Sequence, residues 1–452
     1  MKLSTMLTMS SYSRKRRLSA FLFSIYGGIA VMALGAVLLG VPGSSAFGRQ
    51  DPEPQAVGGA TVATWGASPQ SAAEQNATPI QLNNQTIRMI ARISKGGDQV
   101  RVQLSNTFGV GSLAIGAAHV ARHLAGAQID PNTDRTLRFG GQGAITIPPG
   151  ASIESDPVSL QVPDLTRLAV TIWVPNSTSA RTVHSLGYQT AYLSAVGTGN
   201  LTAAGALPVA STSGARFFLS SIDVRAQSTT RAVVMIGDSI TDGVGSTGDA
   251  NRRWPDRFAE RLIGRNLDLS VVNEGIGGNR LLDNVVGPSV LSRFDRDVLS
   301  QSGVRYVIVL IGINDLGFGQ NVTLDRMLQG YRQLISRARA RGLRIILGTV
   351  LPYEGSFYFR SDRETIRQQI NAAFRNGSVA ADGLIDFDLV LRDPARPTRY
   401  LPQYDSGDHL HPNDAGYQAM ANAVNLRLVG AISASAAEEP VDNNDNQIDD
   451  RR

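Results

Sequence analysis

Four short segments of the chain hold residue types that together could transfer an acyl group. The first is Gly237-Asp238-Ser239-Ile240-Thr241-Asp242-Gly243. A serine on a tight strand-to-helix turn can present its hydroxyl while the next turn offers backbone N–H groups to an anion. The alternative is a serine that merely caps the helix. The second, Asn273-Glu274-Gly275-Ile276-Gly277-Gly278-Asn279-Arg280, has glycines that permit positive φ and a close approach to substrate, as loop glycines do anywhere. In the third, Gly312-Ile313-Asn314-Asp315, the Asn314 amide is either a donor to a developing oxyanion or a turn residue. The fourth, Asp405-Ser406-Gly407-Asp408-His409-Leu410-His411-Pro412, sets a carboxylate three residues before an imidazole. In a turn, Asp408 can then hold one ring nitrogen of His411 and leave the other for a serine. His409 is the rival base, disfavoured because the adjacent Asp408 cannot orient it. The other histidines, His119, His123 and His184, fall in a β-rich stretch and read as surface or satisfied polar residues.

The elements that must position these segments follow from hydrophobic patterning. Ala232–Ile236 is an apolar strand, and similar runs recur at Leu269–Val272, Val304–Ile311, Leu343–Val350 and Leu384–Phe387. Between them lie helical stretches. The clearest has Leu324, Met327, Leu328, Tyr331, Leu334, Ile335 and Ala338 at spacings of three and four and ends in Arg337, Arg339, Arg341 and Gly342. Strands alternating with helices predict a doubly wound parallel sheet with its site at the carboxyl ends of the strands, and every segment above is expected at such an end. From about residue 61 to 226 the pattern changes to short alternating runs. Gln99–Leu104 and Ala144–Ile147 have period two, Leu168–Val174 is nearly continuous, and turn signals such as Gly96-Gly97-Asp98 and Pro148-Pro149-Gly150 lie between. This predicts an all-β sandwich-like domain.

In chain order the segments supply a hydroxyl, an N–H donor, an amide donor and an Asp–His pair, which is a complete set for acyl transfer. The set resembles the SGNH (GDSL) hydrolases, whose four blocks are matched by Gly-Asp-Ser-Ile, Gly-Gly-Asn, Gly-Ile-Asn-Asp and Asp-His-Leu-His-Pro. The resemblance covers about residues 230–432 and implies a flavodoxin-like α/β domain. It makes Ser239 the nucleophile, Asp408 the orienting carboxylate and His411 the base. The oxyanion donors are then the Ser239 amide, Gly278 and Asn314. Gly278 is preferred to Gly275 and Gly277 because it precedes Asn279, where the family's second block carries its glycine. Asp249–Pro255 and the β-rich stretch resemble an extracellular lipase-like or xylan-esterase-like bacterial branch. Such an enzyme needs no cofactor and no metal. Its partner would be a small-molecule, polysaccharide or lipid ester. A lipase or lysophospholipase-type hydrolase and a non-catalytic surface binding module that kept the fold are the alternatives.

Length and charge bound the rest. At 452 residues the chain suits two domains with extensions, and 42% hydrophobic with 18% charged residues excludes disorder of the whole. Five of its cations, Lys2, Arg14, Lys15, Arg16 and Arg17, precede residue 47, where there is no acid, so removing them cancels the formal +5 and leaves nucleic acid without support as a partner. Arg14–Arg17, the apolar run Leu18–Val41 and the small residues Gly43–Ala46 read as a secretory signal or, since about 20 residues span a bilayer, an uncleaved anchor. Export to the periplasm, cell surface or medium follows, with membrane attachment only in the second case. There is no cysteine, so packing must stabilise the exported protein. Residues 47–60 read as a linker. Residues 433–452 read as an acidic disordered tail; Asp442, Asn444, Asn446 and Asp449 loosely resemble a calcium loop, but Gln447 stands in the glycine's place. Trp65, Trp173 and Tyr188 leave open whether the β domain binds carbohydrate or buttresses the catalytic loops.

Overall fold

The computed structural model describes residues 59–75 and 79–430. The expected signal or anchor, nearly all of the linker and the acidic tail lie outside them. From Ala60 to Ala226 the chain builds two main antiparallel sheets, with three smaller ones of two or three strands beside them. One joins β1 (Ala60–Gly66), β6 (Leu219–Ala226) and β3 (Gly97–Ser105). The other centres on β2 (Gln85–Arg92), β5 (Arg167–Val174) and β4 (Ala117–Arg122). The period-two run of β3 buries Val100, Val102 and Leu104. The continuous run of β5 is covered on both faces: Leu168, Val170 and Ile172 enter the main core, while Ala169 joins Ile90, Ala121 and Ile129 in a second cluster.

Arg231 begins a five-stranded parallel sheet of β7 (Arg231–Gly237), β8 (Leu269–Gly275), β9 (Val304–Leu310), β10 (Arg344–Gly348) and β11 (Gly383–Ile385), in the order β8-β7-β9-β10-β11. The order reverses direction at β7, the place where doubly wound sheets open a crevice. Gly237 is in register with both Gly275 and Leu310, so β7, β8 and β9 end level and release the first three segments side by side. The helices that bear on the site are α1 (Ser239–Asp242), α2 (Trp254–Gly264), α3 (Ile313–Phe318), α4 (Leu324–Ala340), α5 (Ser361–Arg375) and α6 (Asp414–Ala423), and short helices also cover Val290–Phe294 and Phe387–Leu391. In α4, Thr323 caps the start, and Met327, Leu328, Tyr331, Leu334, Ile335 and Ala338 form the buried stripe.

The fourth segment departs from the expectation that every motif follows a sheet strand. After β11 the chain makes a two-stranded hairpin, Arg392–Asp393 with Arg396–Tyr400, and residues 405–412 form the loop before α6. β11 lies at the far edge of the sheet, three places from β7, so its own end cannot deliver a histidine to Ser239. The chain has to travel back.

The β layers pack on the open edge of β8. The Val271 N–H donates to Ser94 Oγ (2.8 Å), Ser94 Oγ donates to the Val271 carbonyl (2.9 Å), and Ser270 Oγ donates to the Ala63 carbonyl (2.6 Å). Side chains thus satisfy an edge that would otherwise pair with another strand. Apolar side chains from Val62 to Val429 join in one cluster across this junction.

Candidate active site

The turn after β7 is shaped by local hydrogen bonds. The Asp238 carboxylate caps α1 by accepting from the Ile240 N–H (3.0 Å), and Gly243 closes the single helical turn at φ +115. Gly237 has to be glycine, since a Cβ there would stand 2.3 Å from the Leu310 carbonyl oxygen of β9. Burial, opposed by the Ile240 N–H, pushes the Asp238 carboxyl up to about 7.

Ser239 and His411, from opposite ends of the α/β part, meet at 2.8 Å between Oγ and Nε2. The other imidazole nitrogen, Nδ1, lies 2.6 Å from Asp408 Oδ2. Asp408 Oδ1 also accepts from the backbone N–H groups of Leu410 (2.9 Å) and His411 (2.8 Å), so the three-residue spacing closes a side-chain-to-backbone turn that aims the ring. Partial burial works against the charge on Asp408, but the hydrogen bonds from the His411 ring and backbone outweigh it and hold the carboxyl well below its usual range. His409 takes a separate partner. Its backbone is left-handed at φ +60, and its Nδ1 meets Asp405 Oδ2 at 2.5 Å, so it has an orienting carboxylate of its own and no contact with Ser239.

The second and third segments lock together beside this relay. The Ile276 N–H donates to the Gly237 carbonyl (3.1 Å), the Gly277 N–H to Asp242 Oδ2 (2.9 Å), and Gly278 adopts φ +76, which suits glycine. One hydrogen of the Asn314 amide goes to the Asn279 carbonyl (3.0 Å), leaving the second free. Asp315 accepts from the N–H groups of Leu281 (2.8 Å) and Leu282 (3.1 Å), and burial lifts its carboxyl to about 6. Among the described residues the backbone N–H groups of Ser239 and Gly278 find no acceptor. A hydroxyl, an oriented imidazole and unspent donors from three neighbouring strand ends can together carry out nucleophilic acyl transfer.

Several supports escaped the sequence reading. Arg293, fully buried, donates to the Gly237 carbonyl (2.9 Å), Asn279 Oδ1 (3.1 Å), the Glu274 carbonyl (2.7 Å), Asp297 Oδ2 (3.0 Å) and Ser68 Oγ (2.8 Å). It therefore ties the turn before Ser239 and the Gly278 loop to the β layers. His184 is a satisfied polar residue, as expected, but its partners are informative: Nδ1 faces the Ser68 carbonyl (3.1 Å) and Nε2 faces Asp242 Oδ1 (3.1 Å). His119 pairs with Asp134 and His123 faces the Gly126 carbonyl, both within the β layers. Only Asp242 had a signal in sequence, its place three residues after Ser239.

With this geometry in place, residues 235–419 match the GDSL-like lipase/acylhydrolase family. A comparison with curated proteins finds no match. Among solved structures the chain is similar to a protein named for the G-D-S-L lipolytic family from Desulfitobacterium hafniense, at 26% identity over 43% of this chain and 97% of that one, with a TM-score of 0.34. It is also similar to an acetyl xylan esterase from Geobacillus stearothermophilus (24% identity, 44% and 95% covered, TM-score 0.34). A GDSL-like lipase from Bacteroides thetaiotaomicron follows (21% identity, 45% and 89% covered, TM-score 0.35). The chain carries a GDSL-like lipase/acylhydrolase domain and is a serine esterase.

Proposed function

We propose that the chain hydrolyses carboxylic esters through an acyl-enzyme on Ser239. His411 Nε2 takes the hydroxyl proton as Oγ attacks the ester carbonyl, and Asp408 steadies the imidazolium through Nδ1. The N–H groups of Ser239 and Gly278 and the free hydrogen of the Asn314 amide receive the oxyanion. The tetrahedral species collapses as His411 returns its proton to the departing alcohol. Water, activated by the same imidazole, then releases the acid and restores Ser239. The observation that carries this reading is the continuous relay from Ser239 Oγ through His411 to Asp408, at 2.8 and 2.6 Å. Ser239→Ala keeps the wild-type melting temperature and loses essentially all turnover of a chromogenic short-chain ester. Undiminished turnover by that variant ends the mechanism.

For the alcohol part of the substrate we favour acylated carbohydrate, on the sequence resemblance to the xylan-esterase-like branch, over a lipid ester. A comparison of kcat/KM on acetylated xylan and on a lysophospholipid checks this, and a preference for the lipid reverses it. We also place the mature enzyme beyond the cytoplasmic membrane, on the order of Arg14–Arg17, Leu18–Val41 and Gly43–Ala46. N-terminal sequencing of exported protein tests that placement, and recovery of the enzyme solely from the cytoplasm contradicts it.

A further inference from the structure

Two phenylalanines stand in solvent beside the candidate site. Phe357, in the loop between β10 and α5, is 79% exposed, and Phe318, the last residue of α3, is 52% exposed. Their rings touch, with centroids 5.7 Å apart. Both lean on Tyr358, whose ring centroid is 4.7 Å from each and whose side chain is buried. Behind it lie Tyr353 and Phe359, whose rings are in edge contact at 5.1 Å. A rigid aromatic base thus holds two apolar faces toward water, which costs free energy unless something covers them.

The shelf meets the proposed site through Tyr358, while Gly355 of the same loop packs against the His409 ring. The Tyr358 hydroxyl reaches Asn314 Oδ1 at 3.5 Å, and Phe318 lies four residues after Asn314, one turn along the same face of α3. In the proposed reaction the departing alcohol must sit by His411 Nε2, which returns its proton, and the oxyanion by its donors, so the acyl group leaves the carbonyl carbon in a direction of its own. Asn314 is the donor to which the shelf is attached. The tyrosine hydroxyls of the base are turned inward, Tyr358 to Asn314 and Tyr353 to the Arg360 carbonyl, so the outer face is left to the two phenylalanine rings. Such a face offers a ligand apolar contact and no hydrogen-bonding group.

We propose that Phe318 and Phe357 form the acyl-binding shelf of the enzyme, taking the apolar part of acyl groups longer than acetyl. The inference rests on the esterase reading above and adds the acyl side of its specificity. Each methylene brought out of water onto the shelf favours binding, so acyl chains that reach it gain in kcat/KM over acetyl.

The test uses the purified enzyme with p-nitrophenyl acetate and octanoate. The octanoate-to-acetate ratio of kcat/KM falls roughly tenfold or more in Phe357→Ala, the size expected when a few methylenes lose their contact, and further in the double variant with Phe318→Ala. Val110→Ala, which removes an equally exposed apolar side chain from the β layers, leaves the ratio at the wild-type value. Because Phe357 is exposed, its truncation leaves the fold intact, which thermal melting verifies. A ratio that stays unchanged in Phe357→Ala overturns the shelf, as does a loss that follows the length of the alcohol in a series of alkyl acetates. A wild-type enzyme that cleaves neither ester removes the esterase reading itself, whereas normal cleavage with an unaltered ratio removes only the shelf.

Discussion

From Arg231 onward the chain supplies Ser239, His411, Asp408 and the donors beside them, while the β layers between Ala60 and Ala226 contribute, among the described residues, no member of that group. The β layers instead contribute buried polar atoms one step removed. Ser68 reaches Arg293, which holds the Gly237 carbonyl and Asn279, and His184 reaches Asp242, which holds the Gly277 N–H. Both lines end on the loop carrying Gly278. The β layers thus brace the loop on which the proposed oxyanion donor Gly278 stands. Preorganised donors matter because they need not reorient as charge develops in the transition state.

If the division is right, truncations in the two halves differ in size and kind. The largest effect after Ser239 itself is at His411, where His411→Ala costs about 100-fold to 10,000-fold in kcat/KM. His409→Ala costs far less, since its ring is spent on Asp405. Both variants are compared after equal melting is confirmed. A dead His409→Ala beside an active His411→Ala would move the base to the other imidazole.

An intermediate effect belongs to the β layers. His184→Ala leaves Asp242 Oδ1 without its ring partner and lowers kcat by up to about tenfold, equivalent to about 1.4 kcal/mol in the barrier, with KM changed less. Stability falls by roughly 1–3 kcal/mol for the buried groups left unpaired. A variant that loses stability but keeps kcat would reduce the β layers to simple packing.

The last expected effect, on stability and its pH dependence, concerns Asp238. Its folded carboxyl titrates at about 7, above the roughly 3.9 of an unfolded aspartate, because of burial. A raised acid contributes stability that is fully present below about pH 4 and is lost as pH rises through about 7. Asn keeps the cap to Ile240 and carries no charge. Asp238→Asn therefore melts close to wild type at pH 4 and gains on it by pH 8, at roughly 2 °C for each kcal/mol. A constant difference across that range contradicts the buried carboxyl.

What the sequence made legible follows the same division. The relay could be read because its parts lie in short segments with local causes, such as a serine after an apolar strand and an Asp–His pair spaced to close a turn. The α4 stripe was equally plain. Arg293 could not be read, since arginine is ordinarily a surface residue and its partner Ser68 is 225 residues away. The partnership of His184 with Asp242 likewise depends on how the β layers seat against β8. The route to His411 was misread as a strand end because hydrophobic period gives the elements but not the path of a polar loop across the sheet. The pairing of His409 with Asp405 is hidden in the sequence because Asp408 lies nearer along the chain.

The proposed mechanism requires that Ser239 become covalently acylated with His411 as its base. Incubation with a fluorophosphonate probe, followed by intact-mass measurement and peptide mapping, tests it most directly. One adduct per chain is expected, located on Ser239, absent in Ser239→Ala and formed far more slowly in His411→Ala. A folded enzyme that hydrolyses esters yet carries the adduct on another residue, or labels at an undiminished rate without His411, contradicts it.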